Sequence, residues 1–177
     1  MKKILLMLLF STVFCSSQMN VKFNKGVHVL KSDKTENLIN PKSILFEFSG
    51  DTHLVNYYLD LAKKIKKQFR KRGIKSRFNF NLYNPKPLES DVENIPNKKY
   101  VKEDFDLVGT IELKDFKSWD NHLIEKRRQN HKLNIQLRNN KETVFSALLD
   151  IYTHYTIATQ NKDIVKTILH ELNLEDE

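Results

Sequence analysis

The chain is poor in the residues that several kinds of site require. It has one cysteine among its 177 residues, Cys15, so no disulfide can form within it and no zinc site built on several thiolates is possible. It has four glycines, Gly26, Gly50, Gly73 and Gly109, and contains neither a G-x-S-x-G nucleophile elbow nor a glycine-rich phosphate loop. Six histidines occur, at 28, 53, 122, 131, 154 and 170, none spaced as H-x-x-x-H or H-E-x-x-H. Metal ligands on a helix usually show such spacing, so neither a metal nor a cofactor is expected. No apolar run reaches the roughly 20 residues that a helix needs to cross a bilayer.

What is present first concerns address. MKKILLMLLFSTVFCSSQ pairs an early positive charge, Lys2 and Lys3, with an apolar run from Ile4 to Leu9 that continues through Phe10 to Phe14, then small polar residues. That is the layout of a secretory signal peptide over residues 1–17, and it implies an exported protein, periplasmic or cell-envelope associated. Cys15 stands where a lipid-modified cysteine would stand in a bacterial lipoprotein. However, Phe14 occupies the position that usually carries a small residue, and cleavage after Ser17 gives a chain with no cysteine. Both outcomes stay open. Loss of residues 1–17 lowers the formal charge of +8 by two, for Lys2 and Lys3, to +6. For an exported basic protein, anionic lipid head groups, lipopolysaccharide and acidic polymers come ahead of nucleic acid as partners.

The rest fits one domain. Residues 18–42 form a lead-in with one short strand candidate, Val27 to Leu30, and the organised part covers 43–177. In SILFEFSG, Ile44, Phe46 and Phe48 alternate with Leu45 and Glu47, the period of a strand with one well-buried face. A helix follows, with Asp51 or Thr52 as its amino-terminal cap and Gly73 as its left-handed end. Leu54, Tyr58, Leu61, Ala62, Ile65 and Phe69 recur along one stripe of it. RFNFNLY is a second strand, and strand, helix, strand predicts a parallel pair.

Residues 84–104, with three prolines, form a long loop. DLVGTIEL, KLNIQLRN and TVFSALLDIY supply three more strands, the last two joined by a tight turn at Asn139 and Asn140. KDIVKTILHEL, residues 162–172, is a closing helix, and an acidic tail, LEDE, ends the chain. The order β-α-β-loop-β-β-β-α predicts an α/β (α+β) fold: a two-layer sandwich, a mixed sheet of about five strands with two helices on one face.

ILFEFSG entering a helix that closes at RKRGI, followed by a strand, a variable loop and DFDLVGTIEL, resembles the amino-terminal domain of the Tol translocation protein TolB and related accessory lipoproteins. The resemblance covers about residues 43 to 172 and includes the piece D-x-D-x-V-G-T-I. It implies a non-enzymatic accessory role in which sheet edges, loops or termini contact other envelope proteins. It carries over no site residues.

The most conspicuous chemistry is cationic. AKKIKKQFRKRGIK, residues 62–75, holds eight lysines and arginines and no acid. On the helical wheel Lys63, Lys64, Lys66, Lys67, Arg70 and Lys71 lie opposite the apolar stripe, with Asp60 and Lys64 the one favourable pair nearby. Such a face is either plain solvated surface or the contact for an anionic envelope surface or an envelope protein. In the second case Lys126, Arg127, Arg128, His131 and Lys132, from the linker between two strands, could extend it.

A hydrolase is the alternative. Asp51 and His53 at a strand-to-helix turn, with Asp150 and His154 near another strand end, could form a general acid/base cluster, although Asp51 reads equally as a helix cap. Phe78, Phe80, Phe105, Phe116 and Phe145 read as core. Trp119, in KDFKSWDNH, reads as a contact residue. The sequence therefore predicts an exported, non-enzymatic, envelope-associated binding protein.

Overall fold

A computed structural model describes residues 26–35, 41–83, 96, 98–114, 129–153 and 156–174. The signal segment with Cys15, most of the 84–104 loop, the linker carrying Phe116, Trp119 and Lys126 to Arg128, and His154 all lie outside the described residues.

The elements are β1 (Val27–Lys34), β2 (Ser43–Asp51), α1 (Val55–Lys71), β3 (Lys75–Tyr83), β4 (Leu107–Lys114), β5 (Gln129–Arg138), β6 (Thr143–Thr153) and α2 (Ile157–Glu171). They form one mixed sheet of six strands in the order β1-β6-β5-β4-β2-β3. The expected sheet was one strand smaller. The strand foreseen at Val27 to Leu30 runs on to Lys34 and pairs antiparallel with β6, with a bulge between Val29 and Lys31, and Val27 enters the core. β2 is parallel to β3 on one side and to β4 on the other. β4, β5 and β6 continue antiparallel.

Because β2 lies between two strands, its alternation does not divide dry from wet. Ile44, Phe46 and Phe48 face α1, yet Leu45 is also fully buried and Glu47 nearly so. Glu47 keeps its charge compensated by Lys102 Nζ at 2.7 Å. Lys102 belongs to a segment that is tied to β3, for Asn79 uses its amide to hold Tyr100 at both backbone groups: the Tyr100 N–H donates to Asn79 Oδ1 at 2.8 Å, and Asn79 Nδ2 donates to the Tyr100 carbonyl at 3.0 Å.

α1 docks through Val55, Tyr57, Tyr58, Leu61, Ala62, Ile65 and Phe69. Phe46 meets Phe69 edge-on at 5.7 Å and stacks on Phe78 at 5.9 Å, while Phe48 lies 4.9 Å from Tyr58 and 5.2 Å from Phe80. The Tyr58 hydroxyl donates to the Ser49 carbonyl at 2.9 Å and accepts from the Leu113 N–H at 3.2 Å, so one helix residue ties β2 to β4.

The helix start differs slightly from expectation. Asp51 caps a short 3-10 turn, Thr52–Leu54, ahead of α1, and does not cap α1 itself. At the other end Gly73, at φ +74°, lets the Ile74 N–H reach the Phe69 carbonyl at 3.0 Å, as a left-handed closure requires.

Between β5 and β6 the turn is longer than the expected two residues. Asn139 Oδ1 accepts from the N–H groups of Lys141 and Glu142, both at 2.8 Å. A side chain thus satisfies the loop, and neither asparagine adopts a positive φ. α2 begins five residues before the expected 162, where the Thr156 hydroxyl accepts from the Thr159 N–H. The two helices pack on each other, and α2 also contacts β1.

The D-x-D-x-V-G-T-I piece has a structural reason. Asp106 accepts from the backbone N–H groups of Lys42 and Ser43, at 2.7 and 2.9 Å, and so clamps the start of β2 to the start of β4. The Lys42 N–H, opposed by slight desolvation and helped by Ser43, holds the Asp106 carboxyl below its ordinary value. Gly109 admits two neighbours: a Cβ there would stand 2.8 Å from both Leu137 Cδ2 and Phe46 Cδ1. Gly109→Ala is therefore expected to lose about 1–3 kcal/mol of stability in urea denaturation through overpacking at Phe46. An unchanged denaturation midpoint would refute that close packing.

Candidate functional site

The six cations predicted on α1 fall into three groups. Lys64 is turned toward α2 and paired with Asp60, whose other oxygen accepts from Asn161 Nδ2 at 2.9 Å. Lys67 and Lys71 stand exposed along the outer face. Lys63, Lys66 and Arg70 face the free edge of the sheet, where β3 brings further cations to meet them.

There two open grooves run between α1 and β3. One, of about 270 Å³, is lined by Lys66, Arg70, Gly73, Ile74, Lys75, Ser76 and Arg77. The other, of about 330 Å³, is lined among others by Lys63, Lys66, Ser76, Arg77 and Lys98, over an apolar floor of Leu59, Ala62, Phe78 and Phe80. Six cations converge, and no acidic side chain lines either groove among the described residues. Tyr100 holds two of them, with the Arg77 guanidinium 5.6 Å and the Lys98 ammonium 5.3 Å from its ring centre. The sequence alone does not single out Lys75, Arg77 and Lys98. The signal was available only as an arginine and a lysine just beyond the helix, and their side of the sheet depended on which edge β3 occupies.

The grooves share Lys66, Ser76 and Arg77. Ser76 is 4% exposed, and its hydroxyl finds no hydrogen-bond partner among the described residues. A buried hydroxyl left without a partner costs on the order of 1–3 kcal/mol.

Among the described residues of the hydrolase alternative, Asp51 and His53 do not converge with Asp150. Asp51 Oδ1 lies 2.6 Å from His53 Nδ1 and accepts from the His53 N–H at 2.9 Å. Burial pushes the Asp51 carboxyl upward, but the His53 backbone and ring outweigh it and leave the group below its ordinary value. Asp150 lies on β6, three strands away from β2 in the sheet. At ~4.8 Å per strand that is on the order of 14 Å, too far for shared proton transfer. Among the described residues, no three His, Cys, Asp or Glu side chains form a cluster able to hold a metal.

His131 corrects the expectation most clearly. Its place in the sequence groups it with the linker cations, yet it is the third residue of β5 and is 1% exposed. It shares the parity of Leu133, Ile135 and Leu137 and so faces the helices. The Gln160 amide nitrogen of α2 lies 3.0 Å from His131 Nε2, and the Tyr57 hydroxyl of α1 lies 3.5 Å from it. Asn161 Nδ2 donates to the Tyr57 carbonyl at 3.0 Å. A polar seam therefore runs where α1, α2 and β5 meet. Burial pushes the Tyr57 hydroxyl pKa well up and the His131 pKa down to about 4.

No protein-family model matches this chain, and no curated protein matches it in sequence. Among solved structures, a PelC dodecamer from Paraburkholderia phytofirmans aligns over 84% of this chain and 98% of its own, at 12% identity and a TM-score of 0.49. A second PelC dodecamer from the same organism, a point variant, covers the same shares at 11% identity and a TM-score of 0.49. Both are PelC chains rather than TolB amino-terminal domains, and a likeness at that level carries no argument about function.

The buried histidine makes stability depend on pH. Below its ordinary pKa near 6.5 the unfolded chain takes up a proton that folded His131 refuses until about pH 4. Stability is therefore full above pH 6.5 and falls as pH drops through this window, by up to ~3 kcal/mol. His131→Phe should flatten this part of the profile in denaturation measured at successive pH values. A variant whose profile matches the parent would show that His131 does not govern it.

Proposed function

We propose that the protein is an exported, non-enzymatic binding protein of the cell envelope, and that the α1–β3 edge is its contact for an anionic envelope surface. The observation that carries this reading is the convergence of Lys63, Lys66, Arg70, Lys75, Arg77 and Lys98 on adjoining grooves with no acid lining them among the described residues. A merely solvated helix face gives no reason for a second element to add cations of the same sign beside it. Like charges gathered this way raise the local potential and favour a negative surface. The separation of Asp51 from Asp150 weighs against the hydrolase alternative.

The finer architecture belongs to the same proposal: a two-layer sandwich with both helices on one face of the sheet, as the shared parity of Phe46, Phe48 and Phe78 beneath α1 supports. Among the described residues, no helix is long and apolar enough to cross a membrane. The accessory role implied by the resemblance to TolB amino-terminal domains is compatible with this reading.

Sedimentation with vesicles tests it. The protein should bind phosphatidylcholine vesicles containing phosphatidylglycerol at low salt, bind pure phosphatidylcholine poorly, and be released by high salt as exposed charges are screened. Replacing Lys63, Lys66, Lys67 and Arg70 together with glutamine should weaken binding at least roughly tenfold without altering the circular dichroism. Equal binding to neutral vesicles, or indifference to salt, would refute the proposal.

A further inference from the structure

We infer that Ser76, Lys66 and Arg77 form a seat for one phosphate, and that its occupant is the head group of an anionic phospholipid in a bilayer surface. The inference rests on the contact proposed above and adds a specific position to it. These three residues are the ones common to both grooves, and they combine two cations with a hydroxyl that has no partner among the described residues. Ser76 belongs to the floor with its hydroxyl covered, and a turn about its Cα–Cβ bond brings that hydroxyl out to donate to a phosphate oxygen. The long side chains of Lys66 and Arg77 can turn over the same anion, and a guanidinium matches phosphate geometry with two parallel donors.

The groove lining favours a lipid over an acidic peptide. Beyond the shared trio, the floor of the larger groove turns apolar, with Leu59, Ala62, Phe78 and Phe80. Charge beside an apolar track is the chemistry of an amphiphile. In addition, Tyr83 at the end of β3 and Val101 beside Tyr100 are 64% and 60% exposed, large apolar side chains placed on the same edge elements as the cations. Tyrosine and basic residues together suit the boundary between head groups and acyl chains.

Vesicles matched in surface charge distinguish a seat from a general field. One set carries phosphatidylglycerol in phosphatidylcholine, the other oleic acid, whose charge is a carboxylate. The protein should bind the phosphatidylglycerol set more tightly. Ser76→Ala should lower that binding roughly fivefold, the loss of about one hydrogen bond, and leave binding to the oleate set unchanged. Free of lipid, Ser76→Ala should melt at the parent temperature or above it, since it removes a buried hydroxyl that has no partner among the described residues. Equal binding of the parent protein to both sets, or a Ser76→Ala variant that melts lower, would overturn the seat while leaving the electrostatic contact standing. Binding to neither set would instead overturn the contact itself. Saturable binding of inorganic phosphate at constant ionic strength, abolished by Ser76→Ala, would assign the seat to a free phosphate and overturn the lipid assignment.

Discussion

The structure depends on the docking of α1 across β2 and β3 through an aromatic layer. Phe46 and Phe48 stand at its centre, with Phe69 and Tyr58 above them and Phe78 and Phe80 beside them. Fully burying one such side chain contributes about 1.5–3 kcal/mol, and edge-on or offset contacts add to it. Once the apolar stripe of the helix is committed to this layer, its lysines have nowhere to go but outward. The cationic face is thus a consequence of core packing as much as a feature in its own right.

The same docking explains why the charge is concentrated. A right-angled view of α1 would show Lys64 drawn toward α2 and neutralised by Asp60, while Lys63, Lys66 and Arg70 lean over the opposite flank, toward the edge strand. Compensation on one side and accumulation on the other make the helix electrostatically lopsided. The edge position of β3 completes this, because an interior strand would have had its flank covered by a neighbour. Here the flank is shared between groove and the Tyr100 segment, with cations over the Tyr100 ring.

The polar seam of Tyr57, Asp60, His131, Gln160 and Asn161 has a different character. It lies where two helices and a strand meet, and its hydrogen bonds connect α2 to both α1 and β5. Buried polar contacts of this kind give directional constraints that apolar packing lacks, since each group must find its partner or lose its hydration. Burial of His131 in its neutral form stabilises the fold near neutrality and is a liability in acid. The seam and the cationic edge lie on opposite flanks of α1, so fold and contact surface are served by different residues of one helix.

Periodicity was enough to read α1, its apolar stripe and its solvent-facing lysines, because a 3.6-residue repeat is a local property of the chain. It was likewise enough for the strands at 43–51, 75–83, 107–114 and 143–153, and for Gly73 as the helix end. The inclusion of β1, the burial of Glu47, the place of His131 and the meeting of Lys66 with Ser76 and Arg77 were decided by which strands became neighbours. A strand's pattern states that one face differs from the other, but not whether the second face will be covered or whether an edge will stay bare. Those outcomes are set by contacts between residues far apart in the chain, and only the assembled sheet contains them.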